Sequence, residues 1–96
     1  EEFQNKLTAL RSKIDITDSQ ILEILSKRMK IAEEIGEVKK DKNVAILQTK
    51  RWNEILGKMV LEGEEKGLSE EFVLRMFKAI HQESINHQQK ILDGIR

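Results

Sequence analysis

The sequence predicts an all-α fold with three helices per chain, and three observations lead to that prediction. The 96-residue chain contains no proline and only 4% aromatic residues, so a β-sandwich or a turn-rich fold is disfavoured. Its apolar residues recur at the three- and four-residue spacing of a helix face. By its length the chain is one small domain, residues 1–96, which alone buries a limited share of its surface.

The first helix is expected over about residues 3–40, and the periodicity stops at Asn43, a residue that suits a left-handed helix stop. Only Thr17 and Arg28 interrupt the alternating four- and three-residue steps of this stretch. We call its apolar stripe the seam, and it consists of Phe3, Leu7, Leu10, Ile14, Ile21, Ile24, Ile31, Ile35 and Val38.

The predicted first helix is too long for a compact monomer. At 1.5 Å per residue it measures about 57 Å, whereas a compact chain of this size is about 32 Å across. Either the helix bends back near residues 15–18, where Asp and Thr disfavour a helix interior, or a second chain covers the seam. We expect the second arrangement, an intertwined antiparallel homodimer.

Two shorter helices follow. The second is expected from Thr49 to about Gly67, and the third begins after an N-cap at Ser69 and runs to about residue 93. Trp52, the single tryptophan, lies on the apolar face of the second helix and is expected in the core.

Composition excludes several classes of function. The 17 basic and 17 acidic side chains cancel, which argues against a general nucleic-acid-binding protein. Cysteine is absent, so disulfides and cysteine-ligated metals are excluded. His81 and His87 do not share a helix face, so we expect no metal site. No apolar run is long enough for a membrane span and no signal peptide is visible, so a cytoplasmic location is expected.

Four polar side chains interrupt the apolar stripes and are candidates for a ligand site. Arg28 and Lys39 face the same way because eleven residues are about three turns. Ser84 and Gln88 lie one turn apart on the third helix. Ordinary alternatives are a register-setting arginine, a solvated lysine at a helix end and an interhelical hydrogen bond. Together the four predict a pocket for a small anion, in particular a carboxylate.

Two further arginines are candidates for the same pocket. Arg11 precedes Arg28 by 17 residues, about 25 Å along the helix, so one chain cannot bring both to one small ligand. In an antiparallel dimer the partner's Arg11 approaches the middle of this chain's first helix. Arg51, in the first turn of the second helix, is either a ligand contact or a surface arginine.

The chain resembles the all-helical chorismate mutases, a family of intertwined dimers of three-helix chains. The similarity covers nearly the whole chain, from LTALRSKIDITDSQILEILSKRMKIAEEIGEVK through KRWNEIL to LRMFKAIHQESINHQQ. It implies an isomerase of aromatic amino acid biosynthesis that rearranges chorismate to prephenate. No nucleophile, metal or cofactor is needed for that pericyclic reaction.

The resemblance also implies a role for each candidate residue. Arg28 matches the arginine that binds a substrate carboxylate, and Arg11 matches the one that the partner subunit donates. Lys39 matches the lysine that hydrogen-bonds the ether oxygen, and Gln88 matches the second donor to that oxygen. Further ligand-contacting positions are matched by Arg51 and Ser84.

The sequence departs from the family pattern at two positions. Trp52 stands where better-known members have a carboxylate that contacts the ring hydroxyl of the substrate, and Gln48 stands where an aspartate often occurs. The resemblance therefore leaves the hydroxyl contact to Gln48 or to a backbone group. The stretch ILQTKRWNEI is similar to mutase domains fused to DAHP synthase, so we expect covalent fusion to that enzyme as a further partner.

A second hypothesis comes from another class of function. The same three helices and the same dimer describe a non-catalytic helical bundle that serves as a regulatory or docking module of a fused aromatic-pathway enzyme. Binding of chorismate to the isolated domain distinguishes the two hypotheses.

Overall fold

The computed structural model describes residues 1–94 of the chain, which contain three α-helices. They are α1 (Glu2–Lys42), α2 (Thr49–Glu65) and α3 (Glu70–Leu92), and residues 1–94 contain no β-strand. The prediction of an all-α fold with three helices is confirmed. Within the same residues, none of the helices combines the length and the apolar character that crossing a membrane requires.

Helix α1 runs without a break for 41 residues. The Thr17 hydroxyl donates a hydrogen bond to the carbonyl of Lys13 at 2.8 Å, so this residue is accommodated inside the helix. The chain measures 62 × 30 × 14 Å, and its longest dimension is that of a straight helix of this length. The alternative in which α1 bends back near residues 15–18 is therefore wrong.

The end of α1 shapes the loop that follows. Asn43 adopts the left-handed conformation, with φ of 54° and ψ of 45°, as the sequence predicted. The backbone N–H of Val44 donates to the carbonyl of Lys39 at 2.9 Å. These bonds turn the chain back across the last turn of α1, so that the loop of residues 44–48 lies beside Lys39.

Helix α3 packs against both α1 and α2. Two glycines permit the close approach. A Cβ atom on Gly63 would lie 2.6 Å from a methyl group of Val73, and one on Gly36 would lie 3.2 Å from the Cα atom of Gln88. The Ser69 hydroxyl accepts a hydrogen bond from the backbone N–H of Phe72 at 3.2 Å, which confirms the predicted N-cap. Gly36 thus brings the backbone of α3 directly against α1 at the position of Gln88.

The chain divides into two regions of different burial. We call residues 2–25 of α1 the N-terminal arm and residues 26–94 the helical bundle. The buried apolar side chains all belong to the bundle, and in the described part of the chain they are Met29, Ala32, Val73 and Ile91. In the arm, Ile14 and Ile24 are 60% and 66% exposed. A single chain therefore leaves most of the seam in contact with solvent.

Candidate functional site

A cavity of about 440 Å³ lies among the three helices of the bundle. Its apolar wall comes from α1, from the loop after it and from α2, and includes Ile31, Ile35, Ile46 and Ile55. The polar side chains around it are Arg28, Lys39, Gln48, Arg51, Ser84 and Gln88. Six of the seven residues that the sequence singled out therefore line one cavity. Its size suits a small organic ligand.

All three helices contribute polar side chains to the cavity, and the position of each residue along its helix explains why it faces the cavity. Arg28 and Lys39 are three turns apart on α1 and face the same side. Ser84 and Gln88 are one turn apart on α3, and both are buried. Arg51 lies in the first turn of α2. All three helices must therefore be in place for the cavity to have its full polar lining.

Gln48 occupies the N-cap position of α2 with an extended backbone, φ of −119° and ψ of 99°. Its side chain makes no capping hydrogen bond and is exposed to solvent at the edge of the cavity. Because the side chain is not used to cap the helix, it is available to a ligand.

Lys39 is held in place by two hydrogen bonds. Its Nζ atom donates to the carbonyl of Ile46 at 2.5 Å and to Oε1 of Gln88 at 2.8 Å. The amide nitrogen of Gln88 lies 3.4 Å from the hydroxyl of Ser84. An ammonium group has three donors, so one N–H of Lys39 is left for a ligand. The two bonds therefore hold the ammonium group at the cavity and leave one of its N–H donors unused.

The cavity favours negative charge. Arg28, Lys39 and Arg51 line it, and among the described residues that line it there is no Asp or Glu. Burial lowers the pKa of Arg28, and the charge of Arg51 lowers it further. Burial also lowers the pKa of Lys39. Burial is the main cause of both shifts, and among the described residues that line the cavity no carboxylate provides an anionic partner. A bound carboxylate would supply that partner.

Arg11 is the one predicted site residue that the chain does not bring to the cavity. It lies on the exposed surface of the arm, 17 residues and about 25 Å along α1 from Arg28. Because α1 is straight, no rearrangement of side chains within one chain closes that gap.

Trp52 and His81 line the cavity although the sequence did not indicate either as a site residue. Their rings stack with centroids 3.8 Å apart and planes inclined by 13°. The expectation that Trp52 is a core residue is wrong, since its side chain is only half-buried and forms a wall of the cavity. Spacing offered a signal only for His81, which precedes Ser84 by about one helical turn.

His87 lies on α3 beside Gln88 but is not among the residues that line the cavity. Its Nδ1 atom contacts a carboxylate oxygen of Glu33 on α1 at 2.7 Å, and its Nε2 atom contacts one of Glu83 at 3.0 Å. The hydrogen bond to Glu33 is the main cause that raises the pKa of His87. We call Glu33, Glu83 and His87 the histidine clasp, because they join α1 to α3.

Comparison with known proteins places the chain in one family. The family model described as "Chorismate mutase type II" matches residues 10–89. A protein of Buchnera aphidicola subsp. Schizaphis graminum named "Bifunctional chorismate mutase/prephenate dehydratase" is 32% identical over 90 residues, which are 94% of this chain and 23% of that protein. The protein of the same name from Escherichia coli K12 is 29% identical over 89 residues, 93% of this chain and 23% of its own length.

A third relative, named "T-protein", from Enterobacter agglomerans, is 32% identical over 79 residues, 82% of this chain and 21% of that protein. The chain thus spans about a quarter of the length of these curated relatives or less. Two of the three names include prephenate dehydratase and none includes DAHP synthase, so the expected fusion to DAHP synthase finds no support. The matched residues 10–89 are most of the chain and include both Lys39 and Gln88, and the chain belongs to the chorismate mutase type II family.

Proposed function

We propose that this domain catalyses the rearrangement of chorismate to prephenate in aromatic amino acid biosynthesis. The observation that carries the proposal is the composition of one small cavity. Two arginines and the hydrogen-bonded pair Lys39 and Gln88 surround it, and among the described residues that line it no carboxylate opposes an anionic ligand. Chorismate is a small dicarboxylate with an ether oxygen, which matches this set of groups.

The reaction explains why the cavity needs no nucleophile. In one concerted step the ether C–O bond breaks and a C–C bond forms, and no proton has to be transferred. The substrate is flexible, so catalysis benefits from holding it in the compact reactive geometry. Arg28 binds one carboxylate of the substrate, and Arg51 and Ser84 are further contacts. Charge-assisted bonds to arginine fix both the position and the orientation of a carboxylate.

Lys39 and Gln88 act on the ether oxygen. Negative charge develops on that oxygen as the C–O bond breaks, and donors aimed at such an atom in a dry site stabilise the transition state. The 2.8 Å bond between Lys39 and Gln88 supports this role, because it places the two polar groups side by side. A half-turn of the amide exchanges its oxygen for its nitrogen, so that two donors face the ether oxygen. Removal of one such donor typically costs about 3 to 4 kcal/mol of barrier.

We propose further that the active protein is an intertwined antiparallel homodimer. The exposed seam of the arm supports this arrangement, because apolar stripes of this length are normally covered. The same arrangement supplies the missing cation, since the partner's Arg11 then approaches the cavity of this chain. A cytoplasmic location remains a prediction.

The test of the function is a chorismate disappearance assay on the purified domain, beside a sedimentation measurement of its mass. We expect activity from the unmodified chain and a loss of at least about 100-fold in kcat for Lys39→Ala, because one donor to the ether oxygen is removed. Lys58→Ala is the matched control, because Lys58 is an exposed lysine on α2 and does not line the cavity.

An inactive but well-folded dimer would contradict the proposal. The non-catalytic docking module would then be the better account, provided that chorismate and prephenate also fail to raise the melting temperature of the domain. If Lys39→Ala keeps the activity of the unmodified chain, the proposed reaction stands but the proposed role of Lys39 is contradicted.

A further inference from the structure

The aromatic pair of Trp52 and His81 forms a wall of the cavity that the proposed chemistry does not explain. The indole comes from α2 and the imidazole from α3, and their rings are stacked at a centroid distance of 3.8 Å. Stacking restricts the orientation of both rings. The imidazole is therefore held at the cavity wall, one turn before Ser84 on the same helix.

The Nε2 atom of His81 has no hydrogen-bond partner. It has less than 1 Å² of accessible surface, and within residues 1–94 it is the one side-chain nitrogen or oxygen buried in this way without a partner. Buried polar atoms are nearly always paired, since an unpaired one has lost its bonds to water without replacement. An unpaired atom in the wall of a ligand cavity is a candidate to receive its partner from the ligand.

The surroundings keep His81 neutral. Burial lowers the pKa of His81, and the charges of Arg28 and Lys39 lower it further. A neutral imidazole nitrogen either donates or accepts one hydrogen bond according to its tautomer. A hydroxyl group can both donate and accept, so it pairs with such a nitrogen in either tautomer. A carboxylate binds more strongly to the neighbouring cations than to a neutral imidazole.

We propose that His81 binds the ring hydroxyl of the substrate through Nε2 and is a specificity-determining residue of this site, an inference that rests on the proposed function. The carboxylates and the ether oxygen of chorismate are matched by the cations and Gln88, which leaves the hydroxyl without a partner. Because Nε2 has less than 1 Å² of accessible surface, this binding requires the imidazole to turn within its stack until Nε2 faces the ligand.

Other neutral groups are less suited to this role. Ser84 is already assigned above as a further contact of the substrate beside Arg51. Gln48 is exposed, so solvent can hydrate its amide, which gains less from a ligand than a buried atom that has no hydrogen-bond partner. His81 therefore gains most from a bound hydroxyl.

The experiment compares two substrates, chorismate and an analogue in which hydrogen replaces the ring hydroxyl. His81→Phe keeps a ring for the stack and removes the nitrogen. We expect it to lower kcat/KM about tenfold for chorismate, the usual effect of losing one hydrogen bond to a substrate. For the analogue we expect a change of less than about twofold, since the removed group had no partner there. Trp52→Phe is the matched control and is expected to change both values by the same factor.

The outcomes separate this inference from the proposed function. If the unmodified domain converts chorismate but His81→Phe lowers kcat/KM equally for both substrates, or for neither, the role of His81 is overturned and the function stands. If the unmodified domain does not convert chorismate, the function itself fails. Thermal melting checks that the variant folds. Should His81→Phe not fold, His81→Leu tests the same loss of discrimination, because it also lacks the nitrogen.

Discussion

The N-terminal arm and the helical bundle carry the same kind of apolar periodicity, but they differ in how much of it they bury. In the bundle, Ala32 on α1 and Val73 on α3 are 3% and 1% exposed. In the arm, Ile14 and Ile24 are more than half exposed. Helix α3 packs on α1 in the bundle, and in the described chain no buried side chain belongs to the arm. Periodicity therefore predicts which face of a helix is to be buried, but not which partner buries it.

The two regions also divide the proposed site between them. The bundle alone forms a cavity with six of the seven predicted residues, whereas Arg11 lies on the arm. In the proposed dimer, the arm of each subunit completes the cavity of the other.

The largest effect is expected from a charge in the seam of the arm. Ile14→Asp places a carboxylate in the proposed dimer contact of both subunits. Burial of an unpaired charge is costly, so we expect the dissociation constant of the dimer to rise at least about 1000-fold. Sedimentation should then give the 11.2 kDa mass of one chain, and activity at low protein concentration should be lost.

Ile16→Asp is the control for that experiment. Ile16 is an exposed apolar residue of the same arm, but it is not part of the seam. The same substitution there should leave both the dimer and the activity in place. Equal losses from the two variants would show that Ile14→Asp acts on the stability of the helix rather than on a dimer contact.

A smaller but more specific effect is expected at Arg11. Arg11→Ala should keep the dimer and lower kcat/KM about 100-fold, as is usual when a charged contact to a substrate is lost. When Arg11→Ala and Lys39→Ala chains are unfolded, mixed in equal amounts and refolded, each mixed dimer has one site with both substitutions and one intact site. Half of the dimers are mixed, so about a quarter of the unmodified activity should return.

The result of mixing separates two arrangements of the site. If Arg11 acts within its own chain, both sites of a mixed dimer carry one defect and no activity returns. If it acts across the dimer, the intact site restores activity without any change in either chain.

Much of the fold and of the site could be predicted from the sequence, because both follow from the helical period. The long α1, the stop at Asn43 and the cap at Ser69 are local properties of the chain, and the structure has them as predicted. Arg28 and Lys39 share a face because eleven residues make about three turns. These conclusions need only the geometry of one helix.

The aromatic wall of the cavity could not be predicted in this way. An apolar position for Trp52 is equally consistent with core and with cavity wall, since the period does not show whether the space it faces is filled. Its contact with His81 joins α2 to α3 and depends on how far apart those helices lie. That distance is set by close contacts such as the one between Gly63 and Val73, which no periodic pattern encodes.

A prediction for the bundle concerns the glycine between α1 and α3. A Cβ atom on Gly36 would meet the backbone of Gln88 at 3.2 Å and the side chain of Ile91 at 3.3 Å. We expect Gly36→Ala to destabilise the protein by about 1 kcal/mol, because overpacking outweighs the better helix propensity of alanine. It should also lower kcat, since Gln88 is displaced from Lys39.

Gly57→Ala is the matched control for Gly36→Ala. A Cβ atom on Gly57 meets nothing within 4 Å, so the same substitution in the middle of α2 should stabilise the protein by roughly 0.5 to 1 kcal/mol. Urea unfolding of both variants at one protein concentration measures the difference. Stabilisation of both would show that α3 can move away from α1 at little cost.

The smallest effect is expected from the histidine clasp, and its sign depends on pH. Glu33 and Glu83 raise the pKa of His87 in the folded protein, so the clasp stabilises the fold when the imidazole is protonated. Its contribution is complete below the unfolded pKa of about 6.5 and is lost as the pH rises through the higher folded value. His87→Gln should therefore lower the melting temperature by about 2 °C at pH 5.5 and by less at pH 8.5, as expected for a partly exposed ion pair.

Comparison of the variant with the unmodified protein at each pH isolates His87, because every other ionisable group is present in both. The clasp lies entirely in the bundle, so its loss should change melting without changing the mass of the dimer. A difference in melting temperature that is constant from pH 5.5 to 8.5 would contradict the charged clasp and leave His87 as a neutral hydrogen-bonding residue. Because Gln88 follows His87 directly on α3, kcat measured over the same pH range would also show whether the clasp holds the donor pair in position.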